Sequence, residues 1–269
     1  MSIDAPGLPS EIAAAGPARR ARVTAVTSGK GGVGKSFVSA NLAAALALRG
    51  ERVLVLDADL GLANLDVMLN LIPKITLHDV FTGKAALDDA IVPAPGGFSV
   101  LLAGSGLVEY SRLTPEVRGK LLEVIDTLAP RFDRILLDTG AGISDVVLYA
   151  VSLADEVALV VTPEPTSMTD AYATVKVLAS QQQRGAIRLV VNQVQHLAEG
   201  RAVGAQLQRV IDRYVNPTAV PAVRLDLLGA IPTDMAVREA VQRRQLLLEV
   251  YPGSAAAKAI VALAERLAT

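Results

Sequence analysis

Five apolar runs of strand length recur along the chain, at 23–26, 53–56, 135–137, 157–161 and 187–191, and in most of them hydrophobic residues follow one another without a polar break. A strand with one wet face alternates apolar and polar residues. A strand covered on both faces reads as a continuous run, and sheets of that kind are parallel and wrapped by helices. Helical patterns fill the intervals at 37–49, 115–128, 167–183 and 201–214. The expected fold is therefore α/β, a doubly wound, mainly parallel β-sheet flanked by helices. Two weaker strands are predicted at 98–102, after the turn signal Pro95-Gly96-Gly97, and at 227–231, ahead of Pro232.

The 269 residues suit one such domain, with boundaries expected at 1–21 for an N-terminal arm, 22–253 for the sheet domain and 254–269 for a C-terminal amphipathic helix. Hydrophobic residues make up 51% of the chain but aromatics only 3%, so the core is built from Val, Leu, Ile and Ala and broad aromatic stacking is not an expected binding mode. Lys and Arg number 26 against 27 Asp and Glu, so no global positive field draws the chain to nucleic acid, and none is expected as a specific ligand. With no cysteine there is no disulfide, thiolate metal site or cysteine nucleophile. Neither a secretory signal nor an apolar stretch approaching ~20 residues is visible, which points to a cytoplasmic protein.

Chemistry enters with an octapeptide between the first strand and the first helix, Gly29-Lys30-Gly31-Gly32-Val33-Gly34-Lys35-Ser36. Its glycines permit positive φ and close backbone approach, so amides from Gly29 through Gly34, with those opening the helix at Phe37, can surround phosphate oxygens. Lys35 then neutralises the terminal phosphates, and the Ser36 hydroxyl is a ligand for Mg²⁺, an ion held through few protein groups.

Hydrolysis needs carboxylates as well. Asp57 and Asp59 close the second strand with alternate side chains on one side, at the carboxyl edge where parallel sheets bind ligands. Capping a helix that begins near Asn64 is the other use open to them. Asp138 ends the run at 135–137 and is followed by Thr139-Gly140-Ala141-Gly142. It is expected to stand behind Mg²⁺, with residues 140–142 touching the γ-phosphate and moving on hydrolysis, although an unrelated strand-end turn has the same local look.

Lys30 is not required by the general phosphate-loop pattern, and with it the octapeptide resembles the deviant loop Lys-Gly-Gly-Val-Gly-Lys-Ser/Thr of the MinD/ParA ATPases. The resemblance implies ATP and ADP with Mg²⁺ as cofactors and a regulatory ATPase of slow turnover. It also implies that Lys30 reaches across a homodimer interface to the partner's nucleotide. Carried over by position, Asp59 orients the attacking water, Asp57 supports Mg²⁺, Asn192 recognises the base, and Pro232 and Asp234 line the adenine pocket. The catalytic set is then Lys30, Lys35, Asp59 and Asp138, and the metal set Ser36, Asp57, Asp59 and Asp138.

Segments away from the loop, above all Thr162-Pro163-Glu164-Pro165-Thr166-Ser167-Met168-Thr169-Asp170-Ala171-Tyr172, resemble the flagellar number regulators of the FlhG/FleN branch. So do Asp57 to Val67, Thr139 to Asp145 and Val237 to Val241. Expected partners on that footing are an FlhF-type GTPase, a flagellar transcription regulator and basal-body switch proteins. Some members carry an Asp-Gln-Ala motif near the N-terminus that acts on the GTPase, and residues 1–20 contain no such run.

At the other end, Ala256, Ile260, Leu263, Ala264 and Leu267 fall on one helical face, with Lys258, Glu265 and Arg266 opposite. An alanine-rich face of this kind suits packing against the domain, with peripheral membrane contact as the alternative. Three other functions share the scaffold: a MinD-like division-site ATPase, a ParA-like DNA-partitioning ATPase and an ATP-dependent metabolic ligase.

Overall fold

The computed structural model describes residues 20–60, 65–104 and 113–268. The chain runs β1 (Arg22–Ser28), α1 (Lys35–Leu48), β2 (Val53–Ala58), α2 (Leu65–Leu69), α3 (Leu77–Phe81), a 3₁₀ turn at Leu87–Ala90, β3 (Ile91–Pro93) and β4 (Ser99–Leu101). It continues α4 (Pro115–Leu128), β5 (Arg134–Ala141), α5 (Asp145–Ser152), β6 (Glu156–Val161), α6 (Pro165–Gln182), β7 (Ala186–Val194), α7 (Leu197–Tyr214), β8 (Arg224–Pro232), α8 (Met235–Gln242), α9 (Leu247–Val250) and α10 (Ala255–Ala268).

The eight strands form one sheet in the order β3-β4-β2-β5-β1-β6-β7-β8. Every pairing is parallel except the edge pair β3 with β4. β1 lies between β5 and β6, so the chain winds outward from it in both directions and its carboxyl end opens at the point where ligands of such sheets bind.

The unbroken apolar runs now have a physical cause. On β2, Leu54 and Leu56 face a core shared with α4, α5, α6 and α7, while Val53 and Val55 face a second core built on α1, α9 and α10. β5 divides the same way, Ile135 and Leu137 against Leu136. A strand sandwiched so has no polar position to spend along its length.

α1 is buried from Phe37 to Leu46, which explains its run of small residues, because a helix enclosed on all sides needs close neighbours. The two polar side chains inside it are both engaged. Ser39 Oγ donates to Asp138 Oδ1 at 2.8 Å, and Asn41 donates to Phe37 O at 3.0 Å while accepting from Leu248 N at 3.3 Å.

α10 packs on α1 and β8 with Ala256, Ile260, Leu263, Ala264 and Leu267 inside the core, so the face singled out by its periodicity is already covered by the domain. Three polar contacts hold the helix in place. Arg134 Nη2 donates to Leu267 O at 3.1 Å, Arg266 Nη1 to Leu228 O at 2.7 Å, and Ala256 N to Asp234 Oδ2 at 3.1 Å. A side chain at Gly229 would press Leu263, since a Cβ there would lie 2.7 Å from its Cδ2.

Several short elements escaped sequence reasoning. α2, α3 and α9 have five, five and four residues, too few for a helical period, and β3 is a three-residue edge strand. α5 follows Ser144, whose side chain caps it. The strand expected at 227–231 begins earlier, at Arg224, because its first residues pair with Ala186 and Ile187 of β7 although they carry no apolar run.

Leu263 is 1% exposed, so Leu263→Ala should lower the unfolding free energy by about 2–5 kcal/mol in urea denaturation. A side chain facing solvent or lipid would change it by no more than about 0.5 kcal/mol.

Candidate functional site

β1 delivers the octapeptide to the sheet's carboxyl edge, where Gly32 and Gly34 take φ values of +79° and +92°, which side chains disfavour. Gly34 also stands at the start of α1, with no side-chain cap and no acidic residue in the first turn. The leading amides of a long, buried helix are left for an anion, with the positive end of the helix dipole behind them. Gly29 is required by packing: a Cβ there would lie 2.3 Å from the backbone of Asp170 on α6.

Beneath the loop, the parallel register of β2 and β5 sets Asp57 directly beside Asp138. Both are buried, at 1% and 2% exposure. Asp57 Oδ1 accepts from Asp59 N at 3.1 Å, while among the described residues Oδ2 has no hydrogen-bond partner. Burial first, then the neighbouring Asp138, raises the Asp57 pKa well above the carboxylate range. Burial likewise lifts Asp138 to about 6, against the hydroxyls of Ser36 and Ser39, which hydrogen-bond it, and the charge of Lys35, which all pull it down. Lys35 has its own pKa lowered by burial, opposed by Asp138 and Asp59. Asp59 closes the cluster: a Cβ at Gly140 would lie 3.4 Å from its carboxyl group. Residues 61–64, the rest of the predicted first switch up to Asn64, lie outside the described residues.

The set fits Mg²⁺. Among the described residues no three His, Cys, Asp or Glu side chains converge as a closed metal cage. One orphaned carboxylate oxygen on Asp57, the Ser36 hydroxyl and Asp138 behind it are the sparse protein contribution that Mg²⁺ takes beside phosphate oxygens and water.

Lys30 points away from this cluster within its own chain. Its Nζ donates to Glu164 Oε2 at 2.7 Å and to Thr166 Oγ1 at 2.8 Å, at the start of α6. The segment at 162–172 therefore braces the loop twice, through Lys30 and through Gly29. Neither Glu164 nor Thr166 belongs to the expected site, and only their closeness to Lys30 across the sheet's edge exposes the role.

A cavity of about 570 Å³ opens between the loop and α8, lined by Gly34, Phe37, Asn192, Gln193, Pro232 and Val237 among others. The three residues expected to form an adenine pocket all reach it. Asn192, 5% exposed, has its carboxamide engaged within the chain, donating to Val33 O at 2.8 Å and accepting from Gln193 N at 2.9 Å. Asp234 caps α8 through Ala236 N at 2.9 Å as well as α10.

A doubly wound sheet with a glycine loop on its central strand, paired acids beneath and a cavity alongside defines a P-loop nucleotide-binding protein. A family model described as "ParA: NUBPL iron-transfer P-loop NTPase" matches residues 19–268. The chain belongs to the ParA/MinD family of P-loop NTPases, whose chemistry is ATP hydrolysis. It is 44% identical to the antiactivator FleN of Pseudomonas aeruginosa, over 91% of this chain and 86% of that one. To the flagellum site-determining protein YlxH of Helicobacter pylori it is 34% identical, over 85% and 75%. The structure of the septum site-determining protein MinD of Pyrococcus horikoshii, complexed with Mg-ADP, superposes with a TM-score of 0.70 at 31% identity, over 92% of this chain and 96% of that one.

The buried acids give a stability test. The neutral carboxyl is the form that burial favours, so ionising Asp138 destabilises the nucleotide-free fold as pH rises from about 4 through about 6. Asp138→Asn keeps an acceptor for the Ser39 hydroxyl and carries no charge, so its melting temperature without Mg²⁺ should exceed wild type at pH 8, with the gap closing as pH falls through that window.

Proposed function

We propose that this protein is an ATP-driven dimerisation switch that regulates flagellar number and placement. The observation that carries the reading is Lys30, a second loop lysine that the fold leaves at the surface, beside the phosphate site it does not serve in its own chain. In the nucleotide-bound dimer Lys30 leaves Glu164 and Thr166 and neutralises phosphate charge on the partner's nucleotide. ATP binding and dimerisation are then one event. The Glu164 contact it gives up is a partly exposed ion pair, about 0–1 kcal/mol, so the exchange is readily reversible.

Within one chain, Lys35 and the loop amides hold the β- and γ-phosphates. Ser36 and Asp57 would hold Mg²⁺, with Asp138 positioning Ser36, and the ion would supply positive charge against the phosphates. Asp59, beside Gly140, orients the attacking water, and the glycines at 140 and 142 register loss of the γ-phosphate. Turnover is slow because the product of the cycle is a conformational state that partners read.

The flagellar assignment rests on FleN and YlxH as relatives and on the segment at 162–172, which supports the loop. Partners on this reading are an FlhF-type GTPase, a flagellar transcription regulator or basal-body switch proteins, met in the cytoplasm. Iron transfer, named in the family description, finds no thiolate in a chain without cysteine.

With ATP and Mg²⁺, Asp59→Ala should bind nucleotide and accumulate as a dimer by light scattering, Lys35→Ala should remain a monomer, and Lys30→Ala should bind ATP without dimerising. Equal masses for all three would sink the proposal.

A further inference from the structure

α5 stands between the acid cluster and the body of the domain. At its first turn Val147 reaches the glycine that follows Thr139, since a Cβ on Gly140 would lie 3.3 Å from Val147 Cγ2 and 3.4 Å from the Asp59 carboxyl group. The place of α5 therefore sets the room around Asp59. The start of the helix is lightly held. Gly142, at a φ of +88°, leads into it, and the Ser144 cap accepts from Val147 N only at 3.5 Å.

Its end is held firmly, by other elements. The last carbonyls of a helix have no partner within it, and a glycine past the final turn commonly serves them. α5 has no such glycine, and Leu153 closes it in a right-handed conformation. Arg184, just beyond α6, meets the carbonyls instead. Its Nη2 donates to Ala154 O at 2.6 Å and to Val151 O at 3.0 Å, with Ser152 O at 3.4 Å. Gln182 Nε2 donates to Leu148 O at 2.7 Å, and on the other side Tyr149 Oη donates to Arg118 O of α4 at 2.9 Å.

A cation suits the negative end of the helix dipole. Burial lowers the Arg184 pKa, against the pull of Asp155, so the guanidinium has exchanged water for these carbonyls. It is delivered by Gln183, whose φ of +52° is left-handed, a conformation that non-glycine residues seldom adopt. The same α6 holds Lys30 at its first turn, so one helix braces the phosphate loop at one end and α5 at the other.

We propose that Arg184 is a positioning residue for ATP hydrolysis: by fixing the C-terminal end of α5 it keeps Val147 against Gly140, and so keeps Asp59 where it orients the attacking water. The inference rests on the reading that this site hydrolyses ATP with Asp59, and deepens it by naming a residue outside the site that holds it in shape.

The test has two readouts on the full chain. In steady-state phosphate release with Mg²⁺, Arg184→Ala should lower kcat about tenfold and leave KM within about twofold of wild type, because the loop amides, Lys35 and Ser36 are untouched. Arg184→Lys, which keeps the charge and loses the fork, should show a smaller loss with the same split. Without nucleotide, amide hydrogen exchange across residues 145–152 should quicken about tenfold in Arg184→Ala while that of α1 stays as in wild type. Arg266→Ala, which removes an arginine-to-carbonyl bond at β8, should keep wild-type kcat. Wild-type kcat in both Arg184 variants overturns the assignment, and so does unchanged exchange in α5. A KM that rises in step with the loss, or an equal loss in Arg266→Ala, marks general loosening and overturns it as well. Wild type that releases no phosphate overturns the hydrolysis reading itself.

Discussion

Asp57 and Asp138 stand side by side at the ends of neighbouring parallel strands, in a sheet that excludes water from both faces. Two carboxylates so placed repel one another and lose hydration, and the fold answers only in part, with the Ser36 and Ser39 hydroxyls on one and the Asp59 amide on the other. The unanswered remainder is the driving force for taking up a cation. It also decides how the neighbouring lysine is used. Lys35 feels the charge of Asp138 and Asp59, whereas Lys30 is held by Glu164 and Thr166.

The same acids tie the site to the scaffold. Asp138 reaches α1 through Ser39, α1 packs on α10, and α10 is held at its first turn by Asp234, which also lines the cavity beside the loop. Asp234 therefore joins the cavity wall to the C-terminal helix, and Asp138 joins the end of β5 to α1. α10 belongs to this circuit, with its apolar stripe closing the second core.

On the far side of the loop, α6 serves as a support. It packs against Gly29 so closely that no side chain fits, and its first residues hold Lys30. The segment that most resembles the flagellar regulators by its sequence is thus the one that touches Lys30.

Much of this was legible in the chain itself. Continuous apolar runs declared a sheet covered on both sides, because burial is a property of each residue type. The loop declared phosphate chemistry, because glycine, lysine and serine at that spacing serve few other ends. The acids at 57, 59 and 138 were visible as strand ends. Tertiary structure alone decided which of them are neighbours, since register between β2 and β5 is set by packing across a gap of some eighty residues. It alone placed Glu164 and Thr166 on Lys30, took Asn192 into the loop and set Arg184 on the end of α5, because a contact between distant segments leaves no periodic mark. Local chemistry follows from residue types in order along the chain, whereas the pairing of charges and the aim of a side chain follow from how the elements pack.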